Sequence, residues 1–269
     1  AEIRERRYRV PGHEGDMLRE AARPGNFVGR LAQWETATQA VAEMPSGVIW
    51  ISGAAGVGKS SLMTRLGADL WHAQRGGAAD ARTPGKVLFY RFRAERSDCD
   101  LSNLMNWLEE RLESPERGTR DPQLVLLDLP ERFQSCPDSR LVILLDGLDE
   151  LVRREPRFVE RDLKRLVQAG ADKALFVIAS RDEAGIGPHL HALGARELFP
   201  GGMPPMSAQE IRAMIDANTA PAGVRKLLKH DVEAGGEIRN PVIDLVVERA
   251  QGLPIYVRLL LADIASGRF

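Results

Sequence analysis

Gly53-Ala-Ala-Gly-Val-Gly-Lys-Ser60 stands directly after the apolar run Gly47-Val48-Ile49-Trp50-Ile51-Ser52. The order is strand, glycine-rich loop, lysine and hydroxyl, followed by a helix-like stretch from Ser60 to Leu70; this is the layout of a P-loop. Glycines let successive backbone N–H groups turn inward around a polyphosphate with no Cβ in the way. Lys59 has the reach for β- and γ-phosphates, and the Ser60 hydroxyl can ligate Mg²⁺. The helix beginning near Gly58 turns its positive dipole end toward the same anion. The preceding strand and following helix separate the motif from an incidental glycine-rich turn.

A P-loop needs an acidic partner at the end of a nearby strand to hold Mg²⁺ and orient water. Leu141-Val-Ile-Leu-Leu-Asp146-Gly147-Leu148-Asp149-Glu150 supplies it. The apolar run reads as a strand buried on both faces, and Asp146 emerges at its carboxyl end, where ligands bind in open α/β sheets. Asp149 and Glu150 read as loop residues on the γ-phosphate side; an ordinary acidic helix start is the alternative. Leu124-Val-Leu-Leu-Asp128 looks similar, but too few residues separate it from 141 for a parallel crossover. It is read as a buried helix. Ser180-Arg181-Asp182 ends the next strand. Arg181 either senses phosphate and stabilises charge in phosphoryl transfer, or pairs with Asp182 or Glu183.

Working outward, residues 1–26 are charged and Gly/Pro-punctuated and read as a linker or the end of an upstream region. Leu31, Trp34, Thr38 and Val41 give a helical stripe. Strands are expected at 48–52, 86–92, 141–145 and 174–179, with a short fifth at 196–199. Asp100 caps a helix whose apolar face is Leu101, Leu104, Met105, Leu108 and Leu112, and 158–167 is another helix. Loops are expected at 75–85 and 114–122, and for His189 and His191. After Pro205 only helices are expected. Ser207-Ala-Gln-Glu210 is a capping box, Asn240-Pro241 opens a helix that Gly252 follows, and Pro254 starts the last one. The fold class is therefore α/β: a P-loop NTPase three-layer sandwich around a mostly parallel five-stranded sheet, over 27–205, then a small all-α lid domain over 206–269.

Composition narrows the partners. The net charge of −1 gives no global field for DNA or anionic lipid, and the basic run Arg4–Arg9 reads as solvated rather than as a nucleic-acid arm. The longest apolar runs fall short of a membrane span. Cys99 and Cys136 form no metal or disulfide framework and fit a reducing cytoplasm. The chain starts at Ala1 and stops at Phe269 inside a helical pattern, so it reads as cut from a longer polypeptide.

Together these motifs resemble the STAND class of P-loop ATPases, and its NACHT clade most closely. Phe27-Val28-Gly29-Arg30 resembles the F-x-G-R signature, Gly53–Ser60 the P-loop and Leu144–Glu150 the hhDGhDE metal strand. Ser180-Arg181 resembles the sensor, and Gly252-Leu253-Pro254 the GLP motif. By that resemblance Val28 and Gly29 line the adenine side and Pro254 packs on base or sugar. Gly53, Gly56, Val57, Gly58, Lys59, Ser60 and Ser61 hold phosphate, and Ser60 and Asp146 hold Mg²⁺, Asp146 through water. Asp149 or Glu150 orients the attacking water, and Arg181 is a catalytic sensor. The family usually continues F-x-G-R with an acid; Leu31 stands there, so that acid's contact is lost. The family's winged-helix domain would follow the lid, beyond this sequence. The resemblance implies a slow ATPase switch: an ADP-bound closed form becomes an ATP-bound form that self-associates in the full-length protein. An upstream effector, a downstream sensor, and defence or cell-death signalling follow from the family alone; Ala/Arg/Gly richness fits a GC-rich bacterial genome. No membrane partner is expected, and nucleic acid is disfavoured.

A AAA+ ATPase acting on DNA or protein complexes is the alternative, with Arg258 as a lid arginine. A GTPase lacks its N-K-x-D base-reading motif here. A scaffold using ATP as a structural ligand is disfavoured by Asp149 and Glu150, and a small-molecule kinase leaves the helical domain unexplained.

Overall fold

The computed structural model describes residues 12–23, 27–76, 84–94, 99–112, 121–137, 140–182, 185–217, 232–234 and 237–266. The basic run 4–9, Glu183 and most of the loops expected at 75–85 and 114–122 lie outside them. Strands β1 (Gly47–Ile51), β2 (Lys86–Arg91), β3 (Leu141–Asp146), β4 (Ala174–Ala179) and β5 (Arg196–Glu197) form one sheet in the order β2-β3-β4-β1-β5, every pairing parallel. β4 thus separates the P-loop strand β1 from the acidic strand β3, and the carboxyl ends of all three meet at one edge.

The strands are nearly continuous apolar runs because both faces are covered. Ile49, Ile51, Val142, Leu144, Leu175 and Val177 face α1 (His13–Ala21), α2 (Leu31–Glu43) and α3 (Lys59–Arg75). Their neighbours Val48, Trp50, Ile143, Leu145, Phe176 and Ile178 face the opposite layer. That layer holds α4 (Leu101–Arg111), α5 (Pro122–Ser135), α6 (Leu148–Arg154), a π-helical turn (Phe158–Asp162), α7 (Leu163–Ala169) and α8 (Ile186–Ala192). A third, separate core of Ile211, Ile215, Val246 and Val257 joins α9 (Ala208–Ala217), α10 (Pro241–Ala250) and α11 (Pro254–Ala265). The expected caps form. Asp100 accepts from Asn103 N, Asn240 accepts from Val242 N and Ile243 N, and Ser207 and Glu210 exchange the two bonds of a capping box.

Several readings are corrected. Residues 13–21, read as linker, form helix α1, with Met17 and Leu18 buried. Its Glu14 is 2% exposed and held by Arg111, a partner that local sequence does not reveal. Of the expected stripe Leu31 is 63% exposed, whereas Val41 is buried and Trp34 packs on the core; Ala37 and Ala40 complete the contact. The 158–167 helix begins with a π turn. His189 and His191 lie on α8, not in a loop, where His191 packs edge-on against Trp50. The fifth strand shrinks to two residues. The region after Pro205 is not purely helical: β6 (Val232–Ala234) and β7 (Glu237–Arg239) pair antiparallel. Residues 124–133 are helical as read, within α5, but only one face is buried: Leu124 and Leu127 are 52% and 67% exposed. No helix among the described residues is long and apolar enough to cross a membrane.

Candidate functional site

The ends of β1, β3 and β4 open onto a cavity of about 270 Å³, bordered from outside the sheet by Pro254, Ile255 and Arg258 of α11. Of the residues singled out from sequence, Gly56, Gly58, Lys59, Ser60, Ser61, Asp146, Asp149, Glu150, Arg181 and Pro254 line it. Val28, Gly29, Gly53 and Val57 lie outside its lining. Val28 packs against the third core, and a Cβ on Gly29 would meet Met206 Cε at 2.7 Å. Val57 is buried behind the loop, and Gly53 abuts Met203.

Lys59 opens α3, and its ammonium donates to the Gly53 and Ala54 carbonyls at 2.6 and 2.9 Å. Gly56 and Gly58 have φ of +73° and +108°, values that L side chains resist. Gly56 is also covered by Ile255 of α11, whose Cγ2 would collide with any added Cβ. The loop and the lid helix therefore touch where only glycine fits.

Asp146 is buried at the end of β3. One oxygen accepts from Ser60 Oγ at 3.0 Å and the other from Arg91 Nε at 2.6 Å. A hydroxyl and a carboxylate held together beside a phosphate loop fit Mg²⁺, which takes one or two protein oxygens and completes its shell with phosphate and water. Arg91 escaped the sequence reading because it looks like the polar end of a strand; only the β2–β3 register sets it opposite Asp146. It also donates to Glu20 of α1 and Thr64 of α3, each at 2.6 Å. Burial opposes its charge, but Asp146 and Glu20 outweigh that and hold its pKa above the ordinary arginine value.

Asp149 and Glu150 occupy the first turn of α6, not a loop as expected, after Gly147 turns the chain at φ +84°. Arg181 spans both: Nε lies 3.2 Å from Asp149 and Nη2 2.9 Å from Glu150, while its backbone N–H donates to Asp149 at 3.1 Å. The expected alternative partner Asp182 instead accepts from Gly187 N at 3.2 Å.

Arg30 ends the Phe27-Val28-Gly29-Arg30 stretch. It is buried, has φ +72°, and donates to the Val57 and Pro204 carbonyls at 2.6 Å each, while its own N–H donates to Glu210 at 2.9 Å. It thereby ties the phosphate loop to α9. Burial lowers its pKa, with Glu210 partly opposing. Arg258 of α11 also lines the cavity.

A family model described as the NACHT domain matches residues 47–217, well over half of the chain. The chain belongs to the NACHT family. It is a P-loop NTPase, and the family implies ATPase activity in general; nucleotide, typically with Mg²⁺, is what such a site binds. No curated protein matches this NACHT chain significantly. Among solved structures, the Drosophila ORC bound to DNA is 15% identical with a TM-score of 0.60, over 96% of this chain and 62% of that one. The Aeropyrum pernix ORC1 protein in complex with DNA is 16% identical, TM-score 0.59, over 90% and 62%. Cdc6p from Pyrobaculum aerophilum is 11% identical, TM-score 0.54, over 89% and 62%. At these identities the likeness is one of fold. The NACHT chain spans about three fifths of the length of each of these structures.

Proposed function

We propose that the chain is an ATP/ADP-binding, slowly hydrolysing switch that controls oligomerisation of a larger signalling or defence protein in the cytoplasm. One observation carries this reading: α11, a helix of the third core, rests its Pro254 and Ile255 on Gly58 and Gly56 of the phosphate loop. A ligand shifts a two-state equilibrium only by its differential affinity for the states. A loop holding a triphosphate differs in charge and bulk from one holding a diphosphate, right beside those two residues. Cys99 and Cys136 are buried thiols not joined in a disulfide, which fits a reducing compartment.

In this reading Gly53, Gly56, Val57, Gly58, Lys59, Ser60 and Ser61 hold phosphate, and Val28, Gly29 and Pro254 flank base and sugar. Ser60 and Asp146 would hold Mg²⁺, which neutralises charge on the β- and γ-phosphates. Asp149 or Glu150 orients water, and Arg181 stabilises charge built up in transfer. Arg181 occupies both carboxylates, so either must give up that contact to orient water, which supports slow hydrolysis. Glu150→Gln and Asp149→Asn, assayed separately by single-turnover ATP hydrolysis, test the assignment. At least one is expected to slow turnover roughly 100-fold with ATP binding retained; unchanged turnover in both would sink it.

The DNA-bound structures with this fold and the cavity-facing Arg258 favour a second reading, a AAA+ type ATPase acting on DNA or protein complexes. Against it stands a net charge of −1. DNA binding that weakens steeply with salt, together with DNA-stimulated hydrolysis, would decide for it.

A further inference from the structure

Arg91 joins three elements at the phosphate site. Its guanidinium divides its donors among Asp146 at the end of β3, Glu20 on α1 and Thr64 on α3, each at 2.6 Å. The Asp146 side chain is 2% exposed and that of Arg91 13%, so water screens the pair weakly. Both Asp146 oxygens are engaged, the second by Ser60.

We propose that Arg91 is a positioning residue for Asp146, a resident counter-ion with which Mg²⁺ must compete and whose grip is set from α1 through Glu20. The inference rests on the reading of Asp146 as a Mg²⁺-holding acid. Arg91 keeps the carboxylate oriented beside Ser60 and reduces the negative charge that attracts a cation. Glu20 draws the same guanidinium toward α1, so any movement of α1 alters how much Mg²⁺ nucleotide binding requires. The segment preceding the P-loop domain thereby reaches the phosphate site by a route independent of α11.

The test is the affinity of a fluorescent ADP derivative, with Mg²⁺ titrated into EDTA-treated protein. The readout is the Mg²⁺ concentration at which affinity is half-enhanced. A weakly screened opposite charge at hydrogen-bond distance offsets much of a carboxylate's pull on a second cation. Arg91→Gln is therefore expected to lower the half-point roughly tenfold and to weaken binding in EDTA, because a cation has left the cavity wall. Arg91→Lys, which keeps the charge, returns the half-point toward wild type. Glu20→Gln leaves Asp146 as the charged partner of Arg91 among the described residues, beside neutral Thr64, and raises the half-point about threefold. Glu20 is partly exposed, so this variant decides the matter if Arg91→Gln does not fold. An unchanged half-point in either folded variant overturns the proposal. A wild-type affinity indifferent to Mg²⁺ overturns the metal reading of Asp146, and the proposal with it.

Discussion

At the scale of single residues, Gly56 is where loop and lid meet. An alanine there must hold φ +73°, at about 1 kcal/mol, and drive its methyl into Ile255. Gly56→Ala is expected to weaken nucleotide binding about tenfold or more, measured by calorimetry, with part of the loss restored by adding Ile255→Ala. If Ile255→Ala restores nothing, the lid does not rest on the loop in solution. Arg181 makes a second case. Its removal leaves Asp149, whose side chain is 5% exposed, with only a backbone N–H at 3.1 Å and the more distant Arg153 at 3.9 Å as the partners still in place. Arg181→Ala should destabilise the fold by about 1–3 kcal/mol, the lower end reflecting partial exposure of the arginine. Asp149→Asn should relieve most of that loss, as read from thermal melting; a Tm unmoved by either change would mean the pair is idle. Lys59, Ser60 and Asp146 were legible in the sequence because their chemistry lies in local spacing. Arg91 and Arg30 were not. Their roles depend on partners 55 and 180 residues away, which only strand register and the docking of α9 supply.

At the scale of elements, the strands were legible because burial on both faces leaves unbroken apolar runs. Helix α1 was not, since His13–Ala21 offers only Met17 and Leu18 as large apolar residues among charges. It docks over Gly67 of α3, where an added Cβ would stand 2.4 Å from Met17 Sδ and have to displace that buried side chain. Gly67→Ala is thus a sharp test of α1. In an isolated helix alanine stabilises by about 1 kcal/mol over glycine, yet here it overfills a packed contact, at about 1–3 kcal/mol. Net destabilisation in urea unfolding is expected; net stabilisation would show that α1 is not seated on α3. Asp149 and Glu150 show the opposite limit of reading. Their identity was legible, but whether they began a helix or lay on a loop was not, because Gly147 permits either.

At the scale of the whole molecule, the sheet and the third core are separate apolar bodies that meet at the phosphate loop through Pro254, Ile255 and the Arg30 bridge. The capping box at Ser207 and the Asn240-Pro241 start were readable as local chemistry, whereas the β6–β7 pair, three residues a strand, left no comparable pattern. A nucleotide held between two such bodies is retained as long as both close on it. The most direct measurement is to denature the purified protein and identify released nucleotide by chromatography, beside Lys59→Ala. Stoichiometric ADP from the wild type, absent from Lys59→Ala, is the result a closed switch predicts. No nucleotide from either protein, with weak and rapidly exchanging ATP binding, would contradict it.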